Sequence, residues 1–534
     1  MFQRQLATLL FLFSLPALSQ SPSEPSDTGG RVVLVLPFDN RSGQPNLAWI
    51  GDSFPDTLNQ RLTSAGFLAI SKDDRQYALD HLGLPVDFKP SRATTIRIAQ
   101  TLDADFVIVG SYTVSNGRIA VQAQILEPNK LRMSQALDDS AELSRLLDVE
   151  NAIAWKVARQ IDPHFNVAEQ TFLAASAGVR LSAFENYVRG TSATSSEERV
   201  KRLQLAVQDT PDYPAALLAL GKAQFTQRDY DAAAATLTKI SQTDRRALEA
   251  HFYIGLARFN SAKYAEAESA FAFVAGRLPL PEVVNNQAVA SSRQGHDAAA
   301  LFQRASTADP NDADYHYNLA VALLRRGDFA GAQREVDQTL KLRPTDAEAA
   351  ELRTHILTGK HLSPVNQTTT SASPDFSPLE RIRRSYSEAS FRQAAFQLDQ
   401  MRALRMATLP PVEQAMQYTQ LGHEYLVQGL IPEAEQEFQA AIAADSSTSA
   451  DAHAGLAQVR ERSGNIADAR AEAQTSINLH PNVLAYLVLA RLDLQANQTD
   501  ASASNVSKAL QLNPKDSAAQ GMRQALEARG QSFR

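Results

Sequence analysis

His423-Glu424 is the pair in this chain that most resembles a metal-dependent hydrolase. A histidine and glutamate followed by a second histidine, four residues after the first on one helix face, would hold zinc beside a general base. Here the residue four after His423 is Val427, so the second ligand is missing and His423 reads as a surface position. Asp39, Asn40, Ser42 and Asp52 lie just after a strand-like run, where open α/β sheets bind ligands at the carboxyl ends of their strands. The same residue types also make loop turns and a helix cap at Asp52 or Ser53. Arg381, Arg383 and Arg384, with Arg392, Arg402 and Arg405, form a basic cluster. It is suited to an acidic partner or a lipid headgroup, or it is simply a solvated helix face. The sequence has no GxxxxGK[ST] phosphate loop and no GxSxG nucleophile elbow. Gly29-Gly30 precedes a strand rather than following one, and reads as a linker hinge. With no cysteine in the chain, disulfides, thiolate metal sites, thiol nucleophiles and a lipid-bearing cysteine are excluded. The ten histidines are scattered. No catalytic residue, cofactor-binding residue or metal ligand set is expected, and the chain is read as not an enzyme.

The elements around these residues carry more information. At 534 residues the chain is long enough for several domains, and its 44% hydrophobic and 21% charged content is that of a globular protein. A net charge of −7 argues against nucleic acid as a general partner. The opening MFQRQLATLLFLFSLPALSQ has Arg4, an apolar run from Leu6 to Leu18 and a small-residue site at Ala17-Leu18-Ser19. That is the pattern of a secretory signal peptide over 1–19, followed by a Ser/Pro/Gly linker over 20–30. An exported, periplasmic or extracellular location is the expectation, with membrane association only if the segment stays uncleaved.

From residue 31 the pattern is α/β. Strands are expected at Arg31–Phe38 and Gly66–Ile70, with helices at Asn46–Ala65, Asp73–Leu82 and Ser91–Leu102. A hairpin of Asp105–Ser115 and Gly117–Glu127 turns at Asn116-Gly117. A weaker strand at Met133–Asp138 and a helix from Ala141 to Gln160 close a mixed-sheet domain over 31–162.

Beyond Phe172 strand signals cease and alanine-rich helices repeat. Gly221 and Gly255 are 34 apart, as are Pro310 and Pro344, while Pro481 and Pro514 are 33 apart. Leu421, Gly422, Tyr425, Ala434, Phe438 and Ala441 form one unit; Ile254, Gly255, Ala267, Phe271 and Pro279 another. Leu319, Ala320, Gly327, Ala332 and Pro344 make a third, and Leu489, Ala490, Ala509 and Pro514 a fourth. These units resemble the tetratricopeptide repeat over roughly 300 residues. The resemblance implies two α-solenoid arrays, one over 163–360 with a closing helix and one over 381–534 with a C-terminal capping helix. A Ser/Thr/Pro linker at 361–380 joins them. Such a helix pair cannot bury its own apolar face, so stacked copies must share one core. One inter-helix turn, at Gly295-His296-Asp297, is expected to be about two residues short.

VLVLPFDNRSG (33–43), WIGD (49–52) and VIVGSYTVSNGRIAVQAQIL (107–126) resemble the amino-terminal domain of TolB, whose implied role is protein docking. Pro55 departs from that pattern by standing in the expected helix. The register of the repeat places Lys222, Phe225, Phe252, Phe259, Asn285, Arg293, Tyr317 and Arg325 on the inner face of the first array, and aromatics and Arg anchor protein interfaces. The expectation is a scaffold that binds protein or peptide partners in the cell envelope, in assembly or secretion. The alternative is a regulatory sensor whose α/β domain binds a small ligand near Asp39–Ser42 and Asp52 and whose arrays relay occupancy to a partner.

Overall fold

The structure, a computed structural model, describes residues 31–85, 91–174, 178–358, 377–384, 401–447 and 449–531. The expected signal segment and the degenerate unit around Phe391, Ala394 and Leu398 lie outside the described residues.

The first domain holds strands β1 (Val32–Val35), β2 (Asp39–Asn40), β3 (Leu68–Ala69), β4 (Phe106–Ser115), β5 (Arg118–Glu127), β6 (Arg132–Met133) and β7 (Leu137–Glu142). Its helices are α1 (Trp49–Ser64), α2 (Lys72–His81), α3 (Arg92–Thr101) and α4 (Leu146–Ile161). β1 lies parallel between β3 and β4, and the β4–β5 hairpin is antiparallel. Asn116 and Gly117 both take positive φ (51° and 75°), as a two-residue hairpin turn requires. β1 is apolar throughout because both its faces are covered. Val33 and Val35 face a core with Phe54, Leu58, Leu62, Ile153 and Val157 of α1 and α4. Leu34 faces Ala78, Leu79, Ile98 and Ala99 of α2 and α3.

One expectation is corrected, and one departure is explained. The helix expected from Ala141 begins at Leu146, because residues 137–142 pair with β5 and alternate between half-buried and exposed. Pro55 falls seventh in α1, past the first turn. It can be accommodated because the carbonyl its missing N–H abandons, that of Gly51, accepts from the Phe38 N–H at 3.0 Å instead.

A fully buried carboxyl, Glu150 of α4, stands between Ser53 and Thr57 of α1. The Ser53 hydroxyl has one proton and two acceptors in reach, Glu150 Oε1 and the Ile50 carbonyl at 2.8 Å. A protonated Glu150 that donates to Ser53 satisfies both. Burial pushes this carboxyl up to about 8, against the pull of the two hydroxyls. The folded state therefore keeps a proton that the unfolded chain releases above its ordinary 4.5, and stability must fall as pH rises from about 4.5 to about 8. Glu150→Gln is expected to raise the domain's stability by roughly 2–4 kcal/mol at pH 8.5 and to change it little at pH 4, read from melts at the two pH values.

After α5 (Glu169–Ala174) the secondary structure among the described residues is helical. Five helix pairs follow: α6/α7 (Leu181–Ser192, Ser196–Asp209), α8/α9 (Pro214–Thr226, Tyr230–Leu237), α10/α11 (Ala247–Asn260, Tyr264–Ala275), α12/α13 (Pro281–Arg293, Ala299–Ala308) and α14/α15 (Ala313–Arg325, Phe329–Leu342). The single helix α16 (Ala347–Leu357) ends the series. Three further pairs are α17/α18 (Pro411–Val427, Ile431–Ala444), α19/α20 (Ala450–Arg462, Ile466–Leu479) and α21/α22 (Val483–Gln495, Thr499–Leu512), closed by α23 (Ser517–Glu527). The irregular unit does not shorten its turn as expected. It shortens its second helix, since α13 has 10 residues where α15 has 14.

The unit 421–441 shows how one repeat grips the next. The Phe438 ring enters the space left by Gly422 on α17 and Gly455 on α19. A Cβ on either glycine would lie 2.6 or 2.3 Å from the ring.

The second array is tied to the rest of the chain. Glu435 of α18, fully buried, accepts from the Ala168 N–H at 2.9 Å and from Thr171 of α5, and pairs with Arg460 at 2.8 Å. Arg245 bridges Glu433 of α18 and the Gln60 carbonyl of α1. Asp56, Arg61, Tyr187, Tyr213 and Arg245 line a cavity of about 310 Å³ at this junction. Burial, then the nearby Arg245 and Arg246, holds the Arg61 guanidinium down to about 9.

Candidate peptide-binding groove

Asn285 and Asn318 stand 33 residues apart, at equivalent places on α12 and α14, and Asn286 adjoins the first. All three are fully buried. A buried carboxamide needs partners for both its oxygen and its nitrogen. Asn318 donates to Asn285 Oδ1 at 2.8 Å, Asn285 donates to Asn286 Oδ1 at 3.5 Å, and the other bonds go to the backbone of an extended segment of the same chain, Pro378–Arg383. Asn318 donates to the Arg381 carbonyl at 2.8 Å and accepts from the Arg381 N–H at 2.7 Å. Asn286 does the same for Arg383, at 2.8 Å in both directions. Asn285 adds a bond to the Arg381 carbonyl at 3.0 Å. Amides that meet alternate residues read an extended backbone, whose repeat is two residues.

The segment's side chains sort by charge. Glu380, 4% exposed, meets Ser292 of α12 and Arg325 of α14, and the Arg293 guanidinium donates to its backbone carbonyl at 3.3 Å. Arg325 also donates to the Pro378 carbonyl at 3.1 Å. Arg381 lies over the Tyr317 ring at 3.8 Å and pairs with Asp314, Asp346 and Glu348 at 2.7–2.8 Å. Burial works against its charge, but those three carboxylates outweigh it and raise its pKa. Reciprocally, the Arg381 hydrogen bond holds Asp346 below the usual carboxylate range. Arg383 lies over Tyr315 at 5.1 Å and pairs with Asp312 and Asp314. Ile382 packs against the apolar clusters built on Phe252 and Phe302. Cations over aromatic faces and paired carboxylates are directional contacts that fix one register.

Of the residues placed on the inner face from sequence, Asn285, Arg293, Tyr317 and Arg325 touch this segment. Phe259 is half-buried and packs on the same clusters as Ile382. Phe252 is 1% exposed and sits edge-on to Phe271, inside the core. Lys222 and Phe225 lie further toward the start of the array. Lys222 pairs with Glu249 at 2.7 Å, and Phe225 packs against Tyr230 and Tyr253. The sequence reading missed Asn286, Asn318, Asp314 and Asp346. The signal for the amides was the 33-residue recurrence of Asn285 at Asn318, matched by Ser292 and Arg325. The basic cluster at Arg381 and Arg383 is not a solvated helix face, since both residues lie extended in the groove.

The polar residues near the first strand make loop bonds. Asn40 bonds the Gln44 carbonyl and the Ser42 N–H, and Ser42 accepts from the Val114 N–H. Phe38, just before this loop, is buried in the core and stacked on Phe54 at 4.0 Å between ring centroids. His423 packs edge-on to Phe438, and burial lowers its pKa. Among the described residues no cluster of three or more His, Asp or Glu is placed to hold a metal, and no helix is long and apolar enough to cross a membrane.

Tetratricopeptide-repeat family models match residues 198–240, 218–279, 290–356 and 419–482. No curated protein matches the chain. Among solved structures, the chain is similar to the LpoB C-terminal domain from Salmonella enterica, at 24% identity over 21% of this chain and 83% of that one, with a TM-score of 0.19. It is also similar to YrrB, described as a TPR protein with an unusual peptide-binding site, at 14% identity over 39% of this chain and 99% of that one, with a TM-score of 0.29. MamA from Desulfovibrio magneticus RS-1 matches at 17% identity over 34% and 99%, with a TM-score of 0.28.

Proposed function

We propose that this chain is a non-enzymatic scaffold that gathers protein partners by holding extended peptide segments along the inner groove of its first array. The observation that carries the reading is the set of three buried asparagines whose hydrogen bonds are completed by a peptide backbone. Backbone recognition by side-chain amides gives affinity without demanding one sequence, and the flanking charges then select among partners. The α/β domain serves as a second docking module, the role implied by its resemblance to the TolB amino-terminal domain. The expected signal segment supports a working place in the cell envelope, in assembly or secretion.

The test is cross-linked capture from the envelope fraction by the full chain, compared with Asn285→Ala/Asn318→Ala. These substitutions remove backbone contacts and leave the apolar core intact. Partner recovery is expected to fall at least about tenfold, at about 1.4 kcal/mol per factor of ten, with the circular dichroism spectrum unchanged. Unchanged recovery would remove the groove from the account. Phe252 and Tyr317 are unsuitable for this purpose. Both are large rings packed into the apolar clusters of their repeats, so truncating them opens a core cavity and reports on folding.

A further inference from the structure

The groove is already full. Every bond a partner's backbone would make to Asn285, Asn286 and Asn318 is made by Arg381 and Arg383 of the chain itself. The match extends past the backbone. An acidic residue meets a pair of arginines, an aliphatic residue enters the apolar slot, and two arginines meet tyrosine faces and four carboxylates. A segment held only to shorten a linker would need none of this charge order.

We propose that Pro378–Arg383 is a built-in ligand that closes the groove in cis, and that the external partner presents the same chemistry: an extended peptide reading acidic–Arg–aliphatic–Arg. This rests on the scaffold reading above and names its ligand class. A tethered ligand competes at an effective concentration set by its linker, in the millimolar range for short flexible tethers. A partner peptide therefore sees only the fraction of molecules whose groove is vacated, and its apparent affinity drops by that fraction. The occupied groove is the resting state, and a partner gains access by offering more contacts than the six residues of the segment.

The probe is a fluorescein-labelled peptide, Ser-Pro-Leu-Glu-Arg-Ile-Arg-Arg, copied from residues 377–384, read by anisotropy against the full chain. The wild type is expected to bind it weakly. Arg381→Glu/Arg383→Glu, which ejects the chain's own segment, is expected to bind it at least about tenfold more tightly. Ile382→Asp, which empties the apolar slot by a different route, is expected to do the same. Adding Asn285→Ala/Asn318→Ala to either must abolish the gain. A probe with its two central arginines replaced by glutamate must not bind. Equal binding by the wild type and both ejecting variants overturns the proposal. So does a wild-type mass of two chains that falls to one when the probe is added, because the occupant would then be a second copy. If the probe fails while envelope capture still depends on Asn285 and Asn318, the ligand class is wrong and the scaffold reading stands. If both fail, both fall.

Discussion

Phe438→Ala is expected to destabilise the second array by about 3–5 kcal/mol, the upper range for a buried aromatic. The ring is fully buried, and two of its walls are glycines, Gly422 and Gly455, which have no side chain to lean into the void. The cavity therefore persists. Because each repeat touches mainly its neighbours, the loss should stay local. Amide exchange should accelerate across α17–α20, while α14 and α15 keep their protection. Phe271→Ala is the comparison. Its ring faces one glycine, Gly255, and touches the larger Phe252 ring where Phe438 has the edge of His423, so more side chain can move into the gap. Its cost should be smaller. Equal costs would show that the glycine walls do not govern the penalty.

Glu435→Ala is the second large effect. The carboxylate is buried with Arg460, itself 8% exposed, and takes hydrogen bonds from Ala168, Thr171 and Gln439. Removing it leaves a buried guanidinium without its counter-charge, at a cost of about 3–5 kcal/mol. It also unties α5 from the second array. The expected result is a larger radius of gyration by small-angle scattering and faster exchange over 165–174. Glu435→Ala/Arg460→Ala should recover part of the stability, because no charge is then stranded, but not the compact shape. Thr171→Val, which touches only the docking contact, should loosen α5 and leave the array's melting unchanged. If scattering is unaltered in Glu435→Ala, the Arg245–Glu433 bridge and the remaining contacts of α5, such as Ser463 to Thr171, suffice for docking.

The repeats were legible because a helix pair writes its period into small and large residues, as Gly255 and Phe271 or Gly422 and Phe438 do. The α/β domain was legible from the apolar run at Val32–Val35 and the Asn116-Gly117 turn. The start of α4 was not, since Ala141 and Glu142 suit a helix in isolation and become strand only by pairing with Ile119 and Arg118. The role of Phe252 and Tyr317 was ambiguous for a related reason. A repeat position fixes the helix face, while the neighbouring unit decides whether an aromatic there is covered. The groove's occupant left no trace that could be read locally. An extended segment has no apolar period of its own, and its partners lie 33 to 97 residues away. Arg381, Arg383 and Arg384 therefore looked like a solvated surface until Asp314, Asp346 and Tyr317 were brought to the first of them and Asp312, Asp314 and Tyr315 to the second.

The separation of these contacts along the chain also sets an order of events during synthesis. Asn318 leaves the ribosome 63 residues before Arg381, and Thr171 leaves 264 residues before Glu435. Glu348, the last groove residue to pair with Arg381, precedes it by 33 residues, so at about 5–20 residues per second the complete groove waits roughly 2–7 seconds for its own strap, and the docking site on α5 waits several times longer. Every newly made copy thus passes first through a vacant-groove form and then through a strapped but undocked one. Chains still emerging are the population in which a partner would meet no internal competitor, so capture of an emerging chain follows a different rate law from exchange onto the finished protein.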